Sequence, residues 1–373
     1  MTDRKENPTD RKENPTDRKE TPTDRKETPT DLFLSLTPEA VLAAVEDAGL
    51  RCNPVCLPLN SYENRVYDIE LEDETRVVAK FYRPQRWSRE QILEEHRFMN
   101  DLEEAEVPIC RLRRFPDGTT LRSREGIFYC LYDRFGGRAP QDIDHELAER
   151  IGMLLGRLHA VGAAGKSEHR LRLDANTYVR SNLKWLAERG TIPRHSEERY
   201  LEAANALAEL AERSMHGVPV QRIHGDFHAG NLLLREGVLH VLDFDDHVVG
   251  PAVQDFWLLL QGRDAHTRQL MESLIEGYEQ FRAFDRSTLQ LIEPLRALRR
   301  IHYTAWLAKR WHDPAFPLTW PHFGTETYWN EEVQDLEEMV TLIRNGNAGT
   351  ANAAVEPEPE LTNKDFFWDW EEK

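Results

Sequence analysis

The sequence predicts an α+β fold in which a smaller, sheet-bearing half precedes a larger, helical half. Runs rich in β-branched and aromatic residues are concentrated before residue 135, whereas apolar residues recur mainly at helical spacing after it. The dipeptide Gly136-Gly137 separates the two patterns and predicts a joint. We therefore expect an N-terminal lobe over residues 32–135 and a C-terminal lobe over residues 136–345.

Both ends of the chain are predicted to lie outside these lobes. Residues 2–29 repeat one heptad four times, and every copy ends in proline and lacks the apolar positions of a coiled coil. Acidic and basic side chains cancel within each copy, which predicts a disordered tail over residues 1–31. We expect this tail to have no function of its own; the alternative is a phosphorylatable or partner-binding leash. Residues 346–373 form a second, acidic tail of low complexity.

Composition argues against several classes of partner. The chain carries 48 basic and 66 acidic side chains and a net charge of −18, which disfavours binding to nucleic acid or to an anionic membrane surface. No apolar run approaches the roughly 18 to 20 residues that span a bilayer, and the first residues lack the apolar core of a signal peptide. We therefore expect a cytoplasmic protein that acts as a monomer.

The four cysteines predict neither a disulfide framework nor a zinc site. They are Cys52, Cys56, Cys110 and Cys130, and the pair Cys52/Cys56 has no second pair at zinc-ligand spacing. Reduced thiols, some of them packed in the interior, are the expected state.

The N-terminal lobe is predicted to contain two helices and four strands. Thr37 is a suitable N-cap with Pro38 at the first helical position, and Ser88 with Gln91 forms a capping box. These signals and the β-rich runs predict helices over residues 38–48 and 88–104 and strands over residues 64–71, 75–82, 120–122 and 127–133.

The C-terminal lobe is predicted to be helical with three short strands. Ile151, Leu155 and Leu158 recur at the spacing of one helix face. Strand signals occur only at residues 222–223, 232–234 and 239–244, and further amphipathic helices follow from residue 253 to about residue 343.

The chemistry is concentrated in the segment His224–Asn231, which reads HGDFHAGN, and in LDFDD at residues 242–246. Phosphoryl transfer requires a carboxylate that orients and deprotonates the attacking hydroxyl, and oxygen ligands that hold Mg²⁺ on the phosphates. Asp226 and Asn231 have the spacing of the aspartate and asparagine in a kinase catalytic loop, and Asp243 follows an apolar strand run. The pattern predicts Asp226 as the catalytic base and Asn231 and Asp243 as magnesium ligands.

A zinc site is the competing interpretation of this segment. His224 and His228 are four residues apart, which would suit zinc if they lay on one helix. Gly225 and Asp226 stand between them and make a helix implausible, so we favour phosphoryl transfer.

A phosphate-binding lysine is predicted on a strand of the N-terminal lobe. Lys80 is the one cation in the apolar run of residues 77–81, and Glu95 lies within the apolar stripe of the following helix. An inward-facing carboxylate is costly unless it is paired, so Lys80 and Glu95 are expected to form an ion pair that grips the phosphates. Glu94 is the rival partner, but it lies towards the edge of the stripe.

The motif resembles that of the aminoglycoside phosphotransferase-like kinases, which include choline, homoserine and fructosamine kinases. Residues 59–67, 80–84, 92–96 and 250–255 resemble more narrowly a bacterial group of this family that phosphorylates protein serine and threonine. The resemblance covers residues 36–343 and implies a two-lobed, protein-kinase-like fold, Mg²⁺ and ATP as cofactor and co-substrate, and a role in stress responses. It also implies that Asp255 supports the catalytic loop.

The same resemblance implies where the nucleotide binds. Residues 60–64 contain no glycine, unlike the glycine-rich loop of protein kinases, and Ser61 is the position that would touch ATP. Adenine is expected near the backbone of residues 132–135. No serine, threonine or tyrosine lies between Asp243 and Asp255, so constitutive or substrate-gated activity is expected.

Three hypotheses follow for the function. The first is a Mg·ATP-dependent protein serine/threonine kinase. The second keeps the chemistry but uses a small metabolite or drug alcohol as acceptor, and the net charge of −18 would suit a cationic one. The third is a non-catalytic nucleotide-binding protein, which the presence of all the expected catalytic residues argues against.

Overall fold

The computed structural model describes residues 32–33, 36–59 and 61–346, so the two predicted tails lie outside it except for Gly346. The N-terminal part is built on one antiparallel sheet in the order β1-β2-β3-β6-β4, with β5 also paired to β6. Its elements are α1 (Pro38–Asp47), β1 (Cys52–Leu59), β2 (Arg65–Leu71), β3 (Arg76–Phe81), α2 (Arg89–Glu104), β4 (Leu112–Arg113), β5 (Arg122–Arg124) and β6 (Ile127–Asp133).

Both helices of this part begin at the predicted caps. The Thr37 hydroxyl accepts from the Ala40 N–H at 3.3 Å, and Ser88 and Gln91 exchange side-chain and backbone hydrogen bonds at 3.3 and 2.9 Å. The capping box satisfies N–H groups that the first turn of a helix would leave unpaired. These helix starts are confirmed.

Strand β1 was not predicted. It contains Pro54 and Pro58, which cannot donate to a ladder, and it lies at the edge of the sheet, where such residues are tolerated. Its register shifts between Cys52 and Cys56, so a bulge absorbs the irregularity. The two-residue strand β4 was also missed, and the strand predicted over residues 120–122 occurs at Arg122–Arg124.

The remaining residues form mostly helices with two small antiparallel ladders, β8–β9 and β7–β10. The helices are α3 (His145–Ala164), α4 (Ser181–Glu188), α5 (Arg194–Met215), α6 (Val253–Leu259), α7 (Ala265–Glu279), α8 (Ile292–Arg310), α9 (Ala315–Thr319) and α10 (Glu326–Arg344). The strands are β7 (Gln221–Ile223), β8 (Leu232–Arg235), β9 (Val238–Val241) and β10 (Val248–Gly250). Within the described residues, a π-helical turn over Asn176–Arg180 directly precedes α4.

The predicted strand over residues 239–244 is too long. It ends at Val241, and Phe244–Asp246 form a 3₁₀ turn. Asp243 has a φ of +58°, in the left-handed region, which is incompatible with continuing a strand. The chain therefore turns where its acidic residues begin.

The buried apolar side chains form two hydrophobic cores within the described residues. One lies between α1 and the sheet and includes Val41, Ile69 and Phe81. The larger core fills the helical part and also takes in the buried face of α2, including Phe98 and Met99. Helix α2 therefore packs on the helical part although in sequence it lies between β3 and β4 of the sheet.

Backbone hydrogen bonds join the two parts beside the predicted site. Val241 of β9 donates to the Pro108 carbonyl and accepts from the Cys110 N–H, both at 3.0 Å. After Gly136-Gly137 the chain pairs with β8, because the Arg138 N–H donates to the Leu234 carbonyl at 3.1 Å. The sheet and the β8–β9 hairpin are thus held together at the segment that leads into Asp243.

No helix within the described ranges is both long and apolar enough to cross a bilayer. All four cysteines lie in the described part and are free thiols, as expected.

Candidate active site

The segment His224–Asn231 forms a loop between β7 and β8, and a tight turn brings it against the turn that follows β9. Gly225 has a φ of +84°, and a Cβ atom there would lie 2.3 Å from the Asp246 carbonyl oxygen. Only glycine allows this approach. The turn therefore places Asp226 beside the acidic residues after β9.

His224 ties the two turns together through its ring. Its Nε2 donates to the Leu242 carbonyl at 2.9 Å, and its Nδ1 accepts from the Asp226 N–H at 3.2 Å. Both ring nitrogens are thus committed to backbone groups. Among the described residues no cluster of three or more histidine, cysteine, aspartate or glutamate side chains could hold a metal ion. These contacts argue against the zinc interpretation.

Asp255 anchors the same loop from α6. Its carboxylate has no exposed surface and accepts from the N–H groups of His224 and Gly225 at 2.8 and 2.9 Å. His159 lies 3.0 Å away through Nε2. Asp255 therefore supports the loop, as the resemblance implied, and His159 belongs to the buried framework.

Asp226 itself is held by an arginine that the sequence did not point to. Arg299 Nη2 donates to Asp226 Oδ1 at 2.7 Å, and the Asn231 amide donates to the Asp226 carbonyl at 2.9 Å. Burial acts to raise the pKa of Asp226, but Arg299 and His228 outweigh it and hold the pKa well below its usual range. The carboxylate is therefore ionised, as a general base must be.

Lys80 and Glu95 form the expected pair. Lys80 Nζ lies 3.5 Å from Glu95 Oε1, 3.0 Å from Asp243 Oδ1 and 3.2 Å from Asp245 Oδ1. Burial lowers the pKa of Lys80, but these three carboxylates raise it well above its usual value. Lys80 is therefore a cation on β3 that is held against the turn after β9.

Glu94, the rival partner, has a different contact. Its carboxylate accepts from three successive backbone N–H groups, those of Glu168, His169 and Arg170, at 2.6 to 2.9 Å. Glu94 thus joins α2 to the segment after α3.

The glycine-free turn at residues 61–64 lies over the site. Ser61 Oγ accepts from the Asn64 N–H at 3.3 Å, which shapes the turn. Glu63 accepts from Arg310 Nη2 and from Trp306 Nε1, both at 2.8 Å and both on α8. The turn is therefore tied across the cleft to the helical part.

One cavity of about 810 Å³ connects these groups. Its wall includes Ser61, Val78, Lys80, Cys110, Tyr132, Asp133, Phe135, Leu233 and Asp243, the set expected around adenine and the phosphates. It also includes Asp226, Trp257, Arg299, Arg300, Tyr303, Trp306, Trp320, Phe323, Tyr328 and Glu332. We call this second set the acceptor end, because it contains Asp226; the two sets adjoin where Tyr62 packs on Trp320 at 5.1 Å between ring centroids.

Comparison with known proteins decides the family. Residues 55–322 match the sequence profile of the phosphotransferase enzyme family. The chain is also 40% identical over 313 residues, 84% of its length and 95% of the relative's, to stress response kinase A of Escherichia coli. A Salmonella typhimurium relative named serine/threonine protein kinase RdoA is 39% identical over 312 residues, 83% of this chain and 94% of that protein.

The chain belongs to the phosphotransferase enzyme family. It is an ATP-dependent kinase with an aminoglycoside-phosphotransferase-like fold, as predicted. Two solved structures share the fold at a TM-score of 0.61: amicoumacin kinase with AMP-PNP, Ca²⁺ and amicoumacin (18% identical, 81% of this chain and 92% of that one), and a microcompartment-associated aminopropanol kinase (17%, 82% and 97%). Spectinomycin phosphotransferase with ADP and spectinomycin aligns at 0.55 (11%, 83% and 98%).

The structure brings all six predicted site residues to one cavity or its wall. Asp226, Asn231, Asp243, Ser61 and Lys80 line it, and Glu95 lies behind Lys80. Sequence analysis missed Arg299 and Glu63. Each acts on a partner more than 70 residues away, and a charged residue on an amphipathic helix or in a turn carries no local signal of such a contact.

Proposed function

We propose that this kinase transfers the γ-phosphoryl group of Mg·ATP to a serine or threonine hydroxyl of a protein. The observation that carries the choice of acceptor is the likeness at 39–40% identity, over more than four fifths of the chain, to proteins named stress response kinase A and serine/threonine protein kinase. The same names support a role in a stress response. We further propose that the protein acts in the cytoplasm and as a monomer.

Asp226 is the proposed base. The acceptor hydroxyl would donate to its carboxylate and lose its proton to it, while the hydroxyl oxygen forms a new bond to the γ-phosphorus. The bond from that phosphorus to the β-phosphate oxygen breaks, and ADP leaves. Arg299 and the backbone contact from Asn231 orient the carboxylate, so it need not reorganise as the reaction proceeds.

The donor atoms of the site suit Mg²⁺. The Asn231 nitrogen is turned to the Asp226 carbonyl, so its amide oxygen is the atom that can bind a cation, and the Asp243 carboxylate is 43% exposed towards the cavity. Magnesium on nucleotide phosphates is typically held by one or two such side chains plus phosphate oxygens and water, so no larger cluster is needed. Bound there, the ion would neutralise charge on the phosphates.

The nucleotide would occupy the opposite end of the cavity. Lys80, fixed by Glu95, would contact the phosphates, and the Ser61 hydroxyl or the N–H groups of its turn would cover them. The backbone at residues 132–135 borders the same end and would receive adenine.

A small-molecule alcohol kinase is the second candidate. Six aromatic side chains line the acceptor end, and a deep aromatic pocket is typical of small-ligand sites. The solved structures that share the fold at TM-scores above 0.5 include kinases whose names refer to small molecules.

The experiment that separates these functions is a phosphoacceptor screen. Purified protein with labelled ATP and Mg²⁺ should label protein in a lysate fraction on serine or threonine, and labelling should stop with EDTA or with Asp226→Asn. Label that enters only a metabolite fraction would favour the small-alcohol kinase. If no acceptor in either fraction is labelled while ATP still binds, the chain is a nucleotide-binding protein without transfer activity.

A further inference from the structure

We propose that the acceptor end of the cavity selects hydroxyl groups that stand next to a negative charge and rejects amino alcohols, with Arg299 as the specificity-determining residue. The choice of peptide substrates rests on the proposed function. The preference for a hydroxyl next to a negative charge, called the charge rule below, does not. It concerns which acceptor reaches Asp226, not how phosphate is transferred.

The carboxylates around the cavity already have cationic partners. Six of them line it in the described part of the chain, and each is in an ion pair with an arginine or lysine. They are Glu63, Asp133, Asp226, Asp243, Asp246 and Glu332. An ammonium group entering this cavity would therefore have to share a carboxylate whose charge its arginine or lysine partner already partly neutralises.

Two of these carboxylates, Glu332 and Glu63, each accept hydrogen bonds from at least two donors. Glu332 is buried and accepts from Arg300 Nε at 2.9 Å and from Thr304 at 3.1 Å. Glu63 accepts from Arg310 and Trp306 at 2.8 Å. Displacing either arginine would leave a buried carboxylate without its partner, which is costly.

Arg299 lines the cavity beside Asp226. Its guanidinium lies 2.7 Å from the carboxylate that must receive the acceptor hydroxyl, and its side chain is 33% exposed. Any group bonded close to that hydroxyl will lie near this cation. An ammonium there meets like charge, whereas a carboxylate gains a charge-assisted hydrogen bond.

A guanidinium carries five N–H donors in a planar fork, so one arginine can contact two carboxylates. An acidic group on the acceptor would therefore gain from the charge of Arg299 without displacing Asp226. In peptide terms, the favoured substrate is a serine or threonine with aspartate or glutamate beside it.

The net charge of −18 points the other way, towards cationic acceptors. Local contacts decide this case because solvent-exposed charges are largely screened beyond about 8 Å at physiological ionic strength, whereas contacts inside a cavity are not. The bulk charge would affect the rate of encounter more than the choice between bound acceptors.

The test uses two acceptor series with the same three charges. One is a serine peptide flanked by glutamate, glutamine or lysine; the other is a small alcohol bearing a carboxylate, no charge or an ammonium group. We expect wild-type kcat/KM to favour the acidic over the neutral member by about tenfold, the size of one charge-assisted hydrogen bond, and to be lowest for the cationic member.

Variants assign the preference to Arg299. In Arg299→Gln the acidic-to-neutral ratio should fall to about one, and Arg299→Lys should retain part of it. Arg213→Gln removes the same charge from an exposed position on α5 and should keep the wild-type ratio. ATP affinity and the melting temperature, measured for each variant, verify folding.

The outcomes separate this inference from the proposed function. An acidic preference seen only among small alcohols supports the charge rule and contradicts the protein substrate. Labelled peptides with no acidic preference, or with a preference for lysine, overturn the charge rule and leave the protein kinase proposal standing. A preference for the acidic member that Arg299→Gln leaves unchanged overturns the role of Arg299. If Arg299→Gln transfers no phosphate to any acceptor, the acidic-to-neutral ratio of Arg299→Lys, compared with that of the wild type, tests the role of Arg299. No transfer to any acceptor by the wild type overturns both proposals.

Discussion

Arg170 donates through Nη2 to Glu95 Oε2 at 2.6 Å, and neither side chain has any exposed surface. The same guanidinium donates through Nη1 to the Asp245 carbonyl at 2.7 Å. Arg170 therefore joins the helical part to the glutamate that pairs with Lys80. Together with the three hydrogen bonds to Glu94, it fixes α2 in the position in which Lys80 and Glu95 meet.

We predict that Arg170→Gln weakens both folding and nucleotide binding. Removing one partner of a buried ion pair leaves an uncompensated charge and typically costs about 3–5 kcal/mol. Because Glu95 would lose the contact that orients it, ATP affinity should also fall. Urea unfolding and ATP titration measure the two effects. Arg180→Gln, which breaks an exposed pair with Glu212, is the matched control and should change neither; equal effects in the two variants would contradict a special role for Arg170.

Asp226→Asn should abolish most phosphoryl transfer while ATP still binds. A positioned general base contributes roughly 10²- to 10⁴-fold, and the amide keeps the shape of the side chain but cannot take a proton. Single-turnover transfer with labelled ATP measures the loss. Asp142→Asn, in the exposed loop before α3, should behave as wild type. Wild-type turnover by Asp226→Asn would remove Asp226 from the proposed role.

Asp243→Asn should raise the concentration of Mg²⁺ needed for transfer. Asparagine tolerates the left-handed backbone found at this position, so the substitution tests charge with little change of conformation. We expect a shift of about tenfold or more in the Mg²⁺ titration of initial rate, and complete loss of wild-type transfer in EDTA. Asp142→Asn, in the exposed loop before α3, again serves as control. Identical titrations for Asp243→Asn and wild type would exclude Asp243 as a ligand.

Glu63 should make part of the stability depend on acid pH. Burial acts to raise the pKa of its carboxyl, but Arg86, Arg310 and Arg83 outweigh it and lower the pKa from 4.5 to about 2. A pKa that is lower in the folded state gives stability that is full above pH 4.5 and is lost as the pH falls from 4.5 towards 2. The contribution is about 3 kcal/mol, from 1.36 kcal/mol per pKa unit.

The measurement is the free energy of unfolding of wild type and Glu63→Gln between pH 7 and pH 2.5. Their difference should be constant above pH 5 and shrink below pH 4.5, where the carboxyl is protonated in the unfolded wild type but still ionised in the folded protein. A difference that does not change with pH would show that Glu63 acts through packing alone.

The elements with local signals were predictable from the sequence. Thr37, Ser88 and Gln91 mark helix starts because their hydrogen bonds are to backbone groups three residues away. Strands β2, β3 and β6 followed from dense runs of β-branched and aromatic residues. Strand β1 could not be predicted, since its prolines argue against a strand and only its edge position makes them acceptable.

Some residues of the candidate site could likewise be predicted from local signals in the sequence. Asp226 and Asn231 are five residues apart in one loop, so the sequence alone identifies them as a unit. The pairing of Lys80 with Glu95 was predictable because a buried carboxylate on α2 requires a cation and the preceding strand offers one.

The sequence by itself therefore determined the proposed reacting groups, the family and the order of a sheet-bearing part and a helical part. Tertiary structure alone decided which charges surround those groups: Arg299 on Asp226, Arg170 on Glu95 and Arg310 on Glu63. The physical reason is range. Helix caps, strand runs and loop spacing act over a few residues, whereas each of these arginines is brought to its partner by folding across 70 residues or more.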